Sequence, residues 1–185
     1  MLERTRASIE SSRIISRNGY PYLINPLMDG IPRMDPEILA EVTDRIMEIS
    51  DLDCDLILAP EAMAIPLATA VSLKTHIPYC VIRKRPYGCE GEIPIEEVTG
   101  YSRNRTYIND ISPGEKVVII DDVISTGGTL KSIVEAVRQR GCVITDVIVA
   151  VNKSKDLESV SDMVGIRVKA VIDIHIENGK AVCTH

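Results

Sequence analysis

Phenylalanine and tryptophan are absent from this 185-residue chain, and its only aromatic side chains besides histidine are six tyrosines. With 45% of its residues hydrophobic, the chain must build its core from Ile, Val, Leu, Met and Ala. Positive charge is in deficit: the formal net charge of −6 argues against a nucleic-acid partner, which needs a basic face. No apolar run approaches the ~20 residues of a membrane span, so no membrane partner is expected. The segment Met1 to Arg13 mixes charges and lacks the apolar centre of a secretory signal. The five cysteines, Cys54, Cys80, Cys89, Cys142 and Cys183, are odd in number and show no Cys-x-x-Cys spacing. That pattern speaks against a disulfide frame or zinc site, and for reduced thiols inside a cell. Internal repeats, linkers and low-complexity tracts are missing as well. The expectation is one cytoplasmic domain spanning 1–185, large enough for a substantial core.

What is present concentrates between Val117 and Thr129. Val117 to Ile120 is an apolar, β-branched run, the pattern of a strand covered on both faces. Asp121 and Asp122 follow, then Val123-Ile124 and the turn Ser125-Thr126-Gly127-Gly128-Thr129. Leu130, Ile133, Val134 and Val137 recur at helical spacing, which predicts a helix beginning near Gly128. Such a turn presents backbone N–H groups at a helix start, where the macrodipole favours an anion. Its glycines permit close approach, and its hydroxyls add donors. The two carboxylates would repel a bare anion. They suit a ligand that also carries vicinal sugar hydroxyls or a divalent cation. Neither a Walker A ending nor a Gly-x-Gly-x-x-Gly loop is present. Adjacent strand residues point to opposite faces, so both aspartates meet one ligand only if the strand ends at the pair.

The rest reads as strands alternating with helices. The first thirty residues are polar and turn-rich. Asp35 as N-cap, Pro36 at the first helical position and Glu37 in the first turn open a helix whose stripe is Ile38, Leu39, Val42, Ile46 and Ile49. Leu56 to Ala59 reads as a buried strand, Pro66 to about Leu73 as a helix, and Tyr79 to Arg83 as a strand. Val143 to Val151 supplies another strand. Alternating Ile166, Val168, Ala170, Ile172, Ile174 and Ile176 give a half-exposed one, which Asn178-Gly179 turns back toward Ala181 and Val182. The fold class is therefore α/β, a mostly parallel sheet with helices on both faces. Residues 86–109 hold no helical pattern, and Ile93 and Ile95 are set to pair with Tyr107-Ile108 as a two-stranded flap.

The stretch from Val117 to Thr129 resembles the phosphoribosyl pyrophosphate (PRPP) signature of the type I phosphoribosyltransferases. The resemblance implies that Asp121 and Asp122 hold the ribose hydroxyls and reach a Mg²⁺ shell indirectly, while Ser125, Thr126, Gly127, Gly128 and Thr129 wrap the 5′-phosphate. It places pyrophosphate at Glu61 and Ala62 of the connection after Ala59, and at Arg83 and Lys84. It makes 1–34 a hood and 86–109 a mobile flap closing at Tyr101-Ser102, and it implies a homodimer. From Asn25-Pro26 to the C-terminal hairpin the chain looks like the archaeal hypoxanthine phosphoribosyltransferases, which would give IMP, and GMP if guanine is accepted. Tyr20 and Tyr22 could then border the purine. Two departures matter. Ser125 stands where familiar hypoxanthine–guanine enzymes carry an acid–base aspartate, and Ser102-Arg103-Asn104 lacks the glutamate of the adenine enzymes, so no general base is assigned. Met63 occupies a position where adenine enzymes usually carry arginine, which counts against the rival forming AMP. A non-catalytic PRPP or purine sensor is the rival of another class.

Overall fold

The computed structural model describes residues 2–17, 19–99 and 102–184, leaving out the side chains of 20, 97–99 and 102–104. In chain order the elements are α1 (Glu3–Glu10), β1 (Arg13–Arg17), β2 (Tyr20–Ile24), α2 (Pro26–Asp29), α3 (Pro36–Ile49), β3 (Leu56–Pro60), α4 (Ala64–Thr75) and β4 (Tyr79–Ile82). There follow β5 (Ile93–Thr99), β6 (Ser102–Ile108), β7 (Lys116–Ile124), α5 (Gly128–Gln139), β8 (Val143–Asn152), α6 (Leu157–Val164), β9 (Val168–Glu177) and β10 (Lys180–Cys183). Six strands form the main sheet in the order β10-β9-β8-β7-β3-β4. Its pairs are parallel except β9–β10, which the Asn178-Gly179 turn makes antiparallel, as the sequence predicts.

Period-two alternation along β7 divides the core. Val118 and Ile120 pack on one face with Ile57, Ala59, Val42, Ile46 and Val71, under α3 and α4. Val117 and Ile119 pack on the other with Leu58, Val147, Val149, Ile133 and Val134, under α5. All four β7 residues are fully buried. Apolar burial of this kind is worth about 25 cal/mol per Å², and aliphatic side chains supply it without Phe or Trp. Asp35 caps α3 as expected, its Oδ1 accepting from the Glu37 N–H at 3.0 Å.

The polar, turn-rich N-terminal stretch carries regular elements as well, α1 and the β1–β2 pair. The buried face of α1 is only Leu2, Thr5 and Ile9, too sparse to register as a pattern. Its anchor is polar: the Glu41 carboxylate of α3 accepts from Thr5 N, Thr5 Oγ1 and Arg4 N, which lowers its pKa against the opposing effect of burial. Helix α4 begins at Ala64, two residues before Pro66. Helix α6 had no counterpart in the sequence reading, although Asp156 caps its start through Glu158 N and Ser159 N and left-handed Gly165 ends it. The β5–β6 pairing is as expected, with Ile93 opposite Ile108 and Ile95 opposite Thr106.

Candidate functional site

The turn between β7 and α5 forms a recess of about 80 Å³ lined by Asp121 and by Val123 through Leu130. Gly127, the N-cap of α5, is left-handed at φ 76°. A Cβ there would lie 2.7 Å from both Val160 Cγ1 and Met163 Cε of α6, so backbone conformation and packing both require glycine. Ser125, Thr126, Gly128 and Thr129 face outward. Helix start, glycine backbone and hydroxyls converge here on an opening suited to a phosphate.

The strand does not end at the acid pair but continues to Ile124. Its pairing with β3 stops at Leu58–Ile119, however, so beyond that point β7 runs past its neighbour. Both carboxylates thereby line one cleft of about 290 Å³, shared with Pro60, Glu61, Lys84, Thr106 and Thr129. The Asp121 carboxylate accepts from the Asp122 N–H at 2.8 Å. Burial, then the charge of Asp121 and a hydrogen bond with it, push the Asp122 carboxyl up to about 9. The pair therefore disfavours a second negative charge at neutral pH. A ribose hydroxyl or a cation placed there would offset the repulsion that keeps the proton bound.

Across the cleft, the connection after β3 meets the end of β4. Glu61 N donates to Ile82 O at 3.0 Å, and the Glu61–Ala62 peptide is cis. The Glu61 carboxylate does not face open space: it pairs with Arg83 Nη1 at 2.9 Å and accepts from Lys84 N at 2.6 Å. Arg83 also donates to Tyr87 Oη at 3.0 Å and exchanges backbone hydrogen bonds with Tyr107, joining β4 to β6. Buried Arg83 Nε and Thr106 Oγ1 find no partner among the described residues. The predicted pyrophosphate residues Glu61, Arg83 and Lys84 thus come together beside the aspartates.

A further group stands on the N-terminal side, built largely from residues that belong to no sequence motif. Tyr22 Oη donates to Asp29 Oδ1 at 2.6 Å, and Asn25 N donates to Asp29 Oδ2 at 3.0 Å. The Lys153 ammonium lies 5.5 Å from the centre of the Tyr22 ring, and the Arg17 guanidinium 5.2 Å from it. Lys153 follows β8 and is tied to β7 by its N–H to Ile124 O at 2.8 Å. Burial pulls its ammonium pKa down, and Asp29 opposes the shift. The Asp29 hydrogen bond, then burial, push the Tyr22 phenol up. Tyr22 is thus occupied by charged neighbours. The Tyr20 side chain, Tyr101 and the Ser102 side chain lie outside the described residues. Lone Asp29 and Lys153 had given no sequence signal beyond their position next to a turn and after a strand. Met63 Sδ lies 3.3 Å from where a Cβ on Gly30 would sit, so the loop after β3 touches the end of α2.

Among the described residues no group of three or more His, Cys, Asp or Glu could hold a metal, and no helix is long and apolar enough to cross a membrane. The acid pair offers at most two protein carboxylates, a donor set that suits Mg²⁺ shared with a phosphorylated ligand.

A family description, phosphoribosyl transferase domain, matches residues 35–181. A hypoxanthine/guanine phosphoribosyltransferase of Methanohalophilus mahii is 47% identical over 98% of this chain and 96% of its own length. One of Methanothermococcus okinawensis is 44% identical over 95% and 96%. Among solved structures, an adenine phosphoribosyltransferase from Thermoanaerobacter pseudethanolicus superposes with a TM-score of 0.77 over 94% of this chain and 99% of its own. At 20% identity that likeness concerns the fold alone.

Proposed function

Since this chain belongs to the phosphoribosyl transferase family, we propose that it transfers the phosphoribosyl group of PRPP to a 6-oxopurine, hypoxanthine or guanine, and releases pyrophosphate. The observation that carries the reading is an anion-binding turn that shares Asp121 and Thr129 with the neighbouring cleft, where both aspartates, Glu61 and Lys84 meet and Arg83 is paired to Glu61. Ser125 to Thr129 hold the 5′-phosphate. Asp121 and Asp122 accept from the ribose hydroxyls, and Arg83 and Lys84 orient the leaving pyrophosphate. A purine nitrogen then forms its bond to C1 as the C1–oxygen bond to pyrophosphate breaks, and the proton of that nitrogen passes to water. The protein contributes positioning and charge stabilisation. Asp121 and Asp122 would reach the shell of a Mg²⁺ ion indirectly, and that ion would supply charge neutralisation at the diphosphate. The β5–β6 segment, including Tyr101 and Ser102, serves as the flap that shields the reaction from water.

The base choice has its own support. Lys153 is a donor with no acceptor capacity, matching the O6 acceptor of hypoxanthine and guanine and mismatching the 6-amino group of adenine. The curated relatives named above carry hypoxanthine/guanine names at high coverage. The five unpaired thiols support a cytoplasmic setting, and the family resemblance supports a homodimer. Pyrophosphate release with hypoxanthine, guanine, xanthine and adenine tests the proposal. Turnover is expected with the first two, and turnover with adenine alone would replace the reading with its rival.

A further inference from the structure

Resting on that reading, we propose that Asp29 is the specificity residue for the purine's N1–H edge, held for this task by Tyr22 and Asn25. A carboxylate offers about four acceptor positions, and the Tyr22 hydroxyl and the Asn25 N–H use two of them, one on each oxygen. Each oxygen keeps capacity for an incoming donor, and Asp29 is only half-buried. The Tyr22 ring joins it to Lys153, whose ammonium lies 5.5 Å from the ring centre.

Carboxylate and cation thus neighbour the same tyrosine, Asp29 at its hydroxyl and Lys153 near its ring, and the charge of Asp29 is felt by both Lys153 and Asp122. Helix α2, which ends in Asp29, packs against β7 and β8. A 6-oxopurine presents along one edge an acceptor, O6, and then a donor, N1–H. Lys153 and Asp29 supply the complementary order. Adenine presents the reverse, a 6-amino donor followed by the N1 acceptor, and would leave both side chains facing like partners. Guanine adds a 2-amino donor beside N1–H, so two parallel N–H groups can meet the two carboxylate oxygens. Xanthine places an oxygen at that point, which the carboxylate repels.

Steady-state kinetics with guanine, hypoxanthine and xanthine test this in the wild-type chain, Asp29→Asn and Tyr22→Phe. Asparagine keeps the shape but puts an amide donor where one oxygen stood. The expected result is a fall in kcat/KM for guanine of at least about tenfold, the scale of a hydrogen bond to a charged group. Hypoxanthine should fall less and xanthine least, so the xanthine-to-guanine ratio rises while KM for PRPP stays unchanged. Tyr22→Phe, which frees Asp29 without discharging it, should move the ratio the same way by less. It carries the test if Asp29→Asn does not fold. Loss of all three bases by one common factor, or an unchanged ratio in Tyr22→Phe, overturns the inference and leaves the proposed transfer standing. A wild-type chain that turns over no 6-oxopurine overturns both.

Discussion

Asp122 shows how far one residue can be read from its neighbours. Its carboxyl sits at about 9, above the ordinary 3.8, because burial and Asp121 disfavour a second negative charge. The sign for folding follows from linkage. A folded-state value above the unfolded one means that the stabilising proton is fully in place below the unfolded value, and that its contribution is lost as pH rises through the folded value. Stability should therefore decline between about pH 4 and pH 9 through this group. Asp122→Asn, which mimics the protonated acid, should be more stable than wild type by about 1–3 kcal/mol at pH 8 and nearly equal to it at pH 4. Thermal unfolding at the two pH values measures this, and turnover of the same variant should collapse. The acid pair and the Ser125 to Thr129 turn were legible in the sequence because they are contiguous and their chemistry is local. Asp29 and Lys153 were not, because they lie far apart in sequence and acquire meaning only when α2 and the end of β8 are brought together.

Helix α6 gives a weak sequence signal because it spans only eight residues, two turns of helix, yet its Val160 and Met163 shape the floor beneath Gly127. Gly127→Ala therefore combines a strained left-handed backbone with contact against two side chains. A loss of about 1–3 kcal/mol is expected in urea unfolding. A Gly128→Ala control should lose much less, since only Thr126 Oγ1, at 4.0 Å, comes near a Cβ there. The α3 start was readable from Asp35-Pro36-Glu37, whereas α1 was hidden because hydrogen bonds to Glu41, rather than an apolar stripe, hold it down.

In the whole molecule, the order β10-β9-β8-β7-β3-β4 reverses direction between β3 and β7. Open α/β sheets bind ligands at such a switch point, and both the acid pair and the Glu61 loop occur there. The sheet itself could be inferred from its apolar runs; strand order could not, because periodicity reports burial and not neighbours. A ligand that spans this reversal binds the folded chain alone. PRPP with Mg²⁺ at about a hundred times its dissociation constant should thus raise stability by roughly 2.7 kcal/mol, seen as a higher Tm. No shift at any concentration would remove the assigned cleft.

The touch between Met63 and Gly30 has one more outcome. In the proposed transferase it gives the nucleobase side and the diphosphate side a common wall. Bulk added at residue 30 pushes on the loop that carries Glu61 and Ala62, and trimming Met63 loosens the end of α2. Anyone reshaping this catalyst to accept a larger base will be remodelling its leaving-group end as well.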